Sequence, residues 1–534
     1  MVDLNLNSPS LIILFIASFL FLLFIIKLFS SSSSPHKKPS SSSPSQSTQP
    51  LPKVYPVIGS APAFLNQEKD HLRWTSDILQ SSSTSTYVLH LPFAGRNIYT
   101  ANPANVEHML KSHFANYPKG DQITGSLRDL LGHGIFAVDG QQWKFQRQIA
   151  SHEFNTKSLR IFVEQVVDTE LSSRLIPILE AAARNQTVLD LQDILKRFAF
   201  DNICRISFGY DPDFLAASLP QAPFALAFEQ ATMISSERIR AFFPILWKLK
   251  RAFDIGSEKQ LKMDVAEVKE LARSIVRHKK RERENNPNTV SSSSSVADES
   301  NLDLLSRFLN SGHVDEDFVT DIVISFILAG RDTTSAALTW FFWLLSKNPD
   351  MEAEVVKEIA RNNNNDGHSH SVFEEAKGME YTHAAICESM RLYPPVPTDT
   401  KEAAGDDKLP DGTEVKKGMK VTYHVYAMGR SEKIWGKDWA VYKPERWLAE
   451  MADGKKKFVA RDPYSYPVFQ AGPRVCLGKE MAFLQMKRIV AEVLGRFRVV
   501  PQLEDGFEPV FVHGLTSVMK GSLPVKVEER YKKI

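Results

Sequence analysis

The chain has 534 residues, 43% of them hydrophobic, with 65 Lys and Arg against 63 Asp and Glu. The near-cancelling charge of +2 advertises no nucleic-acid partner, and a chain this rich in apolar and aromatic residues folds rather than staying disordered. Three cysteines, Cys204, Cys387 and Cys476, are too few for a disulfide framework or a cysteine-rich zinc site.

Residues 11–26 read LIILFIASFLFLLFII, without a charge. About 20 apolar residues cross a bilayer as a helix. Asp3 precedes the run, and Lys27, Lys37 and Lys38 follow it, so residues 1–29 predict a single-pass anchor with the bulk of the chain in the cytosol. No basic residue lies ahead of the run, which argues against a cleaved signal peptide. The Ser/Pro/Lys-rich stretch 30–50 predicts a linker, and residues 51–534 a single globular body. Within that body, 285–300 and 362–370 are biased inserts that read as surface loops, and the basic run 277–283 reads as a solvated helix end.

Most of the body carries helical patterning. The longest helix is predicted over 315–345. It opens on three acids, ends at Asn348-Pro349 and is apolar on nearly every face, so it should cross the interior of the protein. Asp321, Arg331 and Asp332 exclude it as a second membrane span. Strand-like runs are short: 86–90, 97–100, 421–423 and 509–512. The predicted class is mainly α, an α+β body with small sheets.

The strongest chemical signal is FQAGPRVCLG, Phe469 to Gly478. A lone cysteine, Cys476, lies in a Gly/Pro-rich loop just before a helix, whose terminal amides stabilise a thiolate. Gly472 and Gly478 flank it and predict room for a flat macrocycle against the backbone. Thiolate ligation of haem iron favours O–O cleavage. The segment resembles the haem-binding signature of the cytochrome P450 superfamily, with no mismatch. The resemblance spans nearly the whole chain and implies that family's fold.

The resemblance also assigns roles. Cys476 would be the axial ligand of haem b, with Phe469, Gly472 and Gly478 shaping its loop. Glu388 and Arg391, at i,i+3 on one helix face, resemble the family's ExxR pair, and Arg446 in PERW would complete a structural Glu-Arg-Arg cluster. Trp447 stands where the family usually has Phe. Trp143 and Arg147, one helical turn apart, would bind one haem propionate and Arg474 the other, with Lys401 a further candidate. AGRDTT, residues 329–334, resembles the family's oxygen-groove motif. There Thr333 would bond the carbonyl four residues back, steady bound oxygen and pass protons, with Asp332 as acid relay.

The stretches 189–215, 329–345 and 423–436 are similar to those of plant fatty-acid ω-hydroxylases. The activity implied is hydroxylation of the terminal carbon of medium- to long-chain fatty acids with O2. Electrons would come from NADPH through a separate flavoprotein reductase, because no dependable GxGxxG follows a strand here. The implied setting is a monomer anchored in the endoplasmic reticulum membrane. Relatives that hydroxylate jasmonate–amino acid conjugates carry similar motifs. Isomerase-type members of the fold need neither O2 nor reductase, but they typically lose the acid–Thr pair kept here at Asp332 and Thr333. A haem protein without turnover, a sensor for instance, is the rival from another class.

Overall fold

In the computed structural model the described residues are 55, 59, 60, 63 and 71–530, apart from 92–94, 221–222, 242, 286–302, 313–314, 364–370, 453, 455 and 505. The predicted anchor (1–29) and linker (30–50) lie outside them. Among the described residues, no helix is long and apolar enough to cross a membrane.

A four-stranded sheet forms one side of the body. Strands β1 (Thr86–Leu91) and β2 (Gly95–Thr100) make an antiparallel hairpin, with Thr86 opposite Thr100. β3 (Asp399–Glu402) and β4 (Lys420–Tyr423) complete it in the order β1-β2-β4-β3; β2 and β4 run parallel, with Asn97 opposite Lys420. Alternating residues such as Leu89, Ile98, Val421 and Tyr423 bury one face of the sheet.

The remainder is mainly helical, in agreement with the predicted class. The helices that build the site are α1 (Gly120–Leu131), α2 (Gly140–Ser151), α3 (Leu191–Phe208), α4 (Pro223–Arg240), α5 (Gly256–Asn285), α6 (Glu316–Ile327), α7 (Thr333–Lys347), α8 (Glu380–Leu392) and α9 (Lys479–Arg496). The predicted long helix is α6 and α7 joined through one π-helical turn, Leu328–Asp332. Its start is capped by the Asp315 side chain, which accepts from the Asp317 amide, and it stops at Asn348 before Pro349.

This helix joins two cores. Val319 to Leu328 pack with α1, α3, α4 and α5; Ala337 to Leu345 pack with α8 and α9. Its interior charges meet protein partners, though Arg331 Nη1 and Asp332 Oδ1 are left without a hydrogen bond. Asp321 accepts from the His133 amide at 2.8 Å, and Arg331 pairs with Glu229 at 3.4 Å and Asp332 at 3.6 Å.

Four local expectations change. The run predicted as strand at 509–512 forms a strand only at Phe511–His513, paired with Ser517–Met519. The charged strand Asp399–Glu402 (DTKE) was not expected, because it has no apolar alternation. The basic run 277–283 is not uniformly solvated: Lys279 is buried and pairs with Asp303 at 2.7 Å. Of the predicted loops, 285–300 and 362–370, the described parts are helical to Asn285 and Asn363, and 286–302 and 364–370 lie outside the described residues.

Candidate active site

The π turn exists because of its side chains. Thr333 Oγ1 donates to the Ala329 carbonyl at 2.6 Å, Ser335 Oγ to Arg331 at 2.7 Å and Thr339 Oγ1 to Ser335 at 2.8 Å. Successive hydroxyls bonding to carbonyls four residues back loosen the helix ladder where they act. Gly330 sits in this turn for packing: a side chain there would run into Ile203 of α3. The backbone of α3 is thereby allowed close to the turn.

Below the turn lies a cavity of about 420 Å³. One wall is the Cys476 loop. Its backbone is folded by two left-handed residues, Gln470 (φ 62°) and Gly472 (φ 64°), and closed by Cys476 N–H donating to the Phe469 carbonyl at 2.8 Å. Gly472 does not line the cavity. A side chain on it would run into the Leu110 carbonyl, so this glycine serves close backbone packing and not the macrocycle space that its spacing suggested. Gly478 does line the cavity and precedes α9.

Cys476 is enclosed by protein, yet its surface is exposed because its open side looks into the cavity. Cys204 and Cys387 are buried, and neither lines the cavity. Burial pushes the Cys476 thiol up, while the Gly478 amide and the charges of Arg147 and Lys479 pull it down. Those donors favour a thiolate and would assist its formation on metal ligation, which releases the proton.

Six Lys and Arg side chains line the cavity against one carboxylate, Asp399. Four of them, Lys119, Arg147, Lys401 and Arg474, gather on the Cys476 side. The indole of Trp143 lies under two of these charges, with the Arg474 guanidinium 4.5 Å and that of Arg147 5.7 Å from the ring centre. Arg147 Nη2 donates to the Val475 carbonyl at 2.8 Å, tying α2 to the cysteine loop. Arg474 pairs with Asp139 just before α2 at 2.5 Å. Lys401 is held at 2.9 Å from Asp399, and Lys119 lies 3.8 Å from the same carboxyl. Burial lowers Lys401 to about 8, whereas the two lysines and the Gln470 amide hold Asp399 well below the usual carboxylate range despite its burial.

Asp399, Asp139 and Lys119 were not found from the sequence. Nothing local marks them, since Asp139 and Arg474 are 335 residues apart and Asp399 and Gln470 are 71 apart. After Asp139 and Asp399 are matched, two of the four cations remain uncompensated at this wall. Two carboxylates on a flat macrocycle above an open thiol would balance them. The residues therefore fit haem, with Cys476 as ligand, Trp143, Arg147, Arg474 and Lys401 for its propionates, and Phe469 and Gly478 against the ring.

Sequence comparison agrees with this chemistry. A family model described as Cytochrome P450 matches residues 50–528. The chain belongs to the cytochrome P450 family. It is 58% identical to cytochrome P450 94A2 of Vicia sativa over 93% of this chain and 94% of that protein. It is 57% identical to cytochrome P450 94A1 of the same plant, over 90% and 91% of the two chains. Identity to cytochrome P450 94B1 of Arabidopsis thaliana is 47%, again over 90% and 91%. Membership makes the protein a monooxygenase of the haem-thiolate type, served by a redox partner.

The ExxR residues of this P450 sit behind the haem wall, fully buried in α8. Glu388 Oε1 accepts from Arg391 Nη2 at 2.7 Å, the Lys443 amide at 3.0 Å and Arg446 Nε at 3.2 Å; Oε2 accepts from Arg391 Nε at 2.8 Å and Trp447 Nε1 at 2.9 Å. The Trp447 bond is one that a phenylalanine at this position could not make. An indole keeps the aromatic packing and adds a donor, a property of tryptophan that was available from its chemistry alone.

Thr333 lines the cavity, but Asp332 does not. The Asp332 carboxyl is buried beside Arg331, with Thr516 as its polar neighbour on the cavity side, and burial raises its pKa. The pair is adjacent in sequence but divided by the cavity wall.

Proposed function

We propose that this P450 hydroxylates the terminal carbon of medium- to long-chain fatty acids. The observation that carries the proposal is a single cavity that joins the Cys476 thiol and the Thr333 hydroxyl to an apolar wall made by Ile123, Leu127 and Leu131 of α1. An aliphatic chain lies along such a wall with water excluded, and its far methyl is the part that reaches the cysteine end. The similarity of the sequence stretches to plant fatty-acid ω-hydroxylases supports the same substrate class.

Haem iron bound by a thiolate supplies the reductive splitting of dioxygen and the insertion of one oxygen atom into a C–H bond. The chain positions and protonates. Arg147, Arg474, Trp143 and Lys401 would hold the macrocycle by its propionates. Thr333 Oγ1 donates to Ala329 and so presents its lone pairs to the cavity, where it accepts one proton and passes on another. Asp332, kept protonated more readily by burial, would be the acid that resupplies the proton, and Thr516, its polar neighbour, lines the same cavity as Thr333. Electrons arrive from a separate NADPH-dependent reductase.

Thr333→Ala should leave haem bound and NADPH consumption running, while hydrogen peroxide replaces hydroxylated product. Measuring product formed per NADPH consumed checks this, and wild-type coupling would remove Thr333 from the relay. The substrate reading is tested with microsomes carrying the full chain, a reductase, NADPH and a panel of fatty acids and jasmonate conjugates. Terminal alcohols of fatty acids, identified by mass spectrometry, are expected; turnover confined to the conjugates would overturn the reading.

The apolar run 11–26 and the basic residues after it support anchorage in the endoplasmic reticulum membrane with a cytosolic body. Asn185-Gln-Thr187 is a formal glycosylation site at the end of an exposed helix turn. In that orientation Asn185 should remain unmodified in the native protein, and endoglycosidase should leave gel mobility unchanged. A shift abolished by Asn185→Gln would place the body in the lumen.

A further inference from the structure

Arg240 and Lys420 are the two cavity-lining cations that the haem wall does not use. Arg240 ends α4 and sits among Tyr99, Ser236 and His513, a group of neighbours distinct from the cysteine loop. Its Nη1 donates to Ser236 Oγ at 2.8 Å and to the His513 carbonyl at 2.7 Å. Both acceptors are neutral. Among the described residues, Arg240 has no ion pair, and its Nε and Nη2 donate to no protein group. Glu237, the nearest acid on the same helix, is exposed and reaches it only through its field.

Arg240 is part-buried, and its Nε and Nη2 are not sealed in protein but open to the cavity, so a carboxylate entering there can fork onto both. The surrounding imidazoles do not supply or compete with that charge. His71, His424 and His513 are all pushed down by burial and are neutral at physiological pH. Lys420, on β4 opposite Asn97, adds a second positive charge facing the same space.

We infer that Arg240 is the seat of the substrate's carboxylate, held by its free Nε and Nη2, with Lys420 adding longer-range attraction. The inference rests on the proposed acid substrate and deepens it. A chain fixed by its head at Arg240 has its methyl end free to reach the Cys476 and Thr333 side, which is the arrangement terminal hydroxylation needs. The head group alone does not distinguish a fatty acid from an amino-acid conjugate, since each carries a carboxylate.

The test is optical titration of the ferric, full-length holoprotein with dodecanoate, methyl dodecanoate and a jasmonoyl–amino acid, following the Soret shift on ligand entry. The wild type should bind dodecanoate more tightly than its ester. Arg240→Ala should weaken acid binding about 10- to 100-fold, the range of a charge-assisted forked bond, and change ester binding less than about twofold. Arg240→Gln keeps a donor for Ser236 and the His513 carbonyl but removes the charge, and it should reproduce the loss should the alanine variant fail to fold. Arg240→Lys should restore part of the affinity. If wild type binds dodecanoate and either neutral variant retains that affinity, the Arg240 seat is overturned while the fatty-acid reading stands. If dodecanoate and its ester both fail to bind but the conjugate binds in an Arg240-dependent way, the seat stands and the fatty-acid reading falls. If no carboxylate is preferred over the ester, the seat is overturned.

Discussion

Cys476→Ser is expected to abolish activity and the red-shifted Soret band that reduced thiolate haem shows with carbon monoxide. The cause is electronic and local. The loop presents one sulfur to the cavity, and neither Cys204 nor Cys387 lines it, so no second thiol is placed to substitute. An alcohol oxygen at the same place is a far weaker donor and does not deprotonate under the Gly478 amide and the nearby Arg147 and Lys479 charges at neutral pH. Loop geometry should survive, because the Cys476 amide bond to Phe469, the left-handed Gln470 and Gly472, and the Arg147 tie to Val475 do not involve the sulfur. Haem content should therefore fall less than activity does. The check is the carbon monoxide difference spectrum beside total haem measured on the same sample. A retained red-shifted band would remove Cys476 as the ligand.

How much of this site was legible in the sequence depended on distance along the chain. Cys476, the pair Glu388 and Arg391, and Thr333 each belong to a compact motif, whose chemistry is visible in a window of ten residues or fewer. The loosened helix turn could be read directly from Thr333, because a hydroxyl's reach to the carbonyl four residues back is a local property. What could not be read was pairing between remote segments. Lys401 looks like any solvated lysine until Asp399, Lys119 and Gln470 are brought around it. Gly472 reads as space for a ligand until Leu110 is found against it. Asp332 reads as a partner of Thr333 because they are adjacent, yet neighbouring residues on a helix point in different directions, and only Thr333 meets the cavity. The charged strand Asp399–Glu402 escaped for a related reason. Its burial is made possible by ion pairs and not by an apolar face, so hydrophobic alternation carries no trace of it.

Arg391→Ala should yield little or no folded, haem-loaded protein, the largest stability effect foreseen outside the cysteine loop. Glu388 and Arg391 are both wholly inaccessible, so removing Arg391 leaves a buried carboxylate with only the charge that Arg446 shares between it and Asp438. Breaking such a pair costs about 3–5 kcal/mol, a large part of the stability of an ordinary domain. Arg391 also donates to the Gly429 and Val441 carbonyls, and a side chain on Gly429 would collide with the Arg391 carbonyl, so the charge and the backbone around it are locked together. Lysine should not rescue, because one ammonium cannot fork onto both Glu388 oxygens and reach those carbonyls at once. Arg446→Ala should be milder. Arg446 shares its charge between Glu388 and Asp438, and its loss leaves Glu388 with both Arg391 bonds. Trp447→Phe should be milder still, losing one bond to a charged acceptor, worth about 1.5–3 kcal/mol, while keeping the ring. The order Arg391, Arg446, Trp447 is to be read from haem content and from urea midpoints of the purified variants. A midpoint for Arg391→Ala equal to that of Trp447→Phe would show that the Glu388 charge is not held chiefly by Arg391.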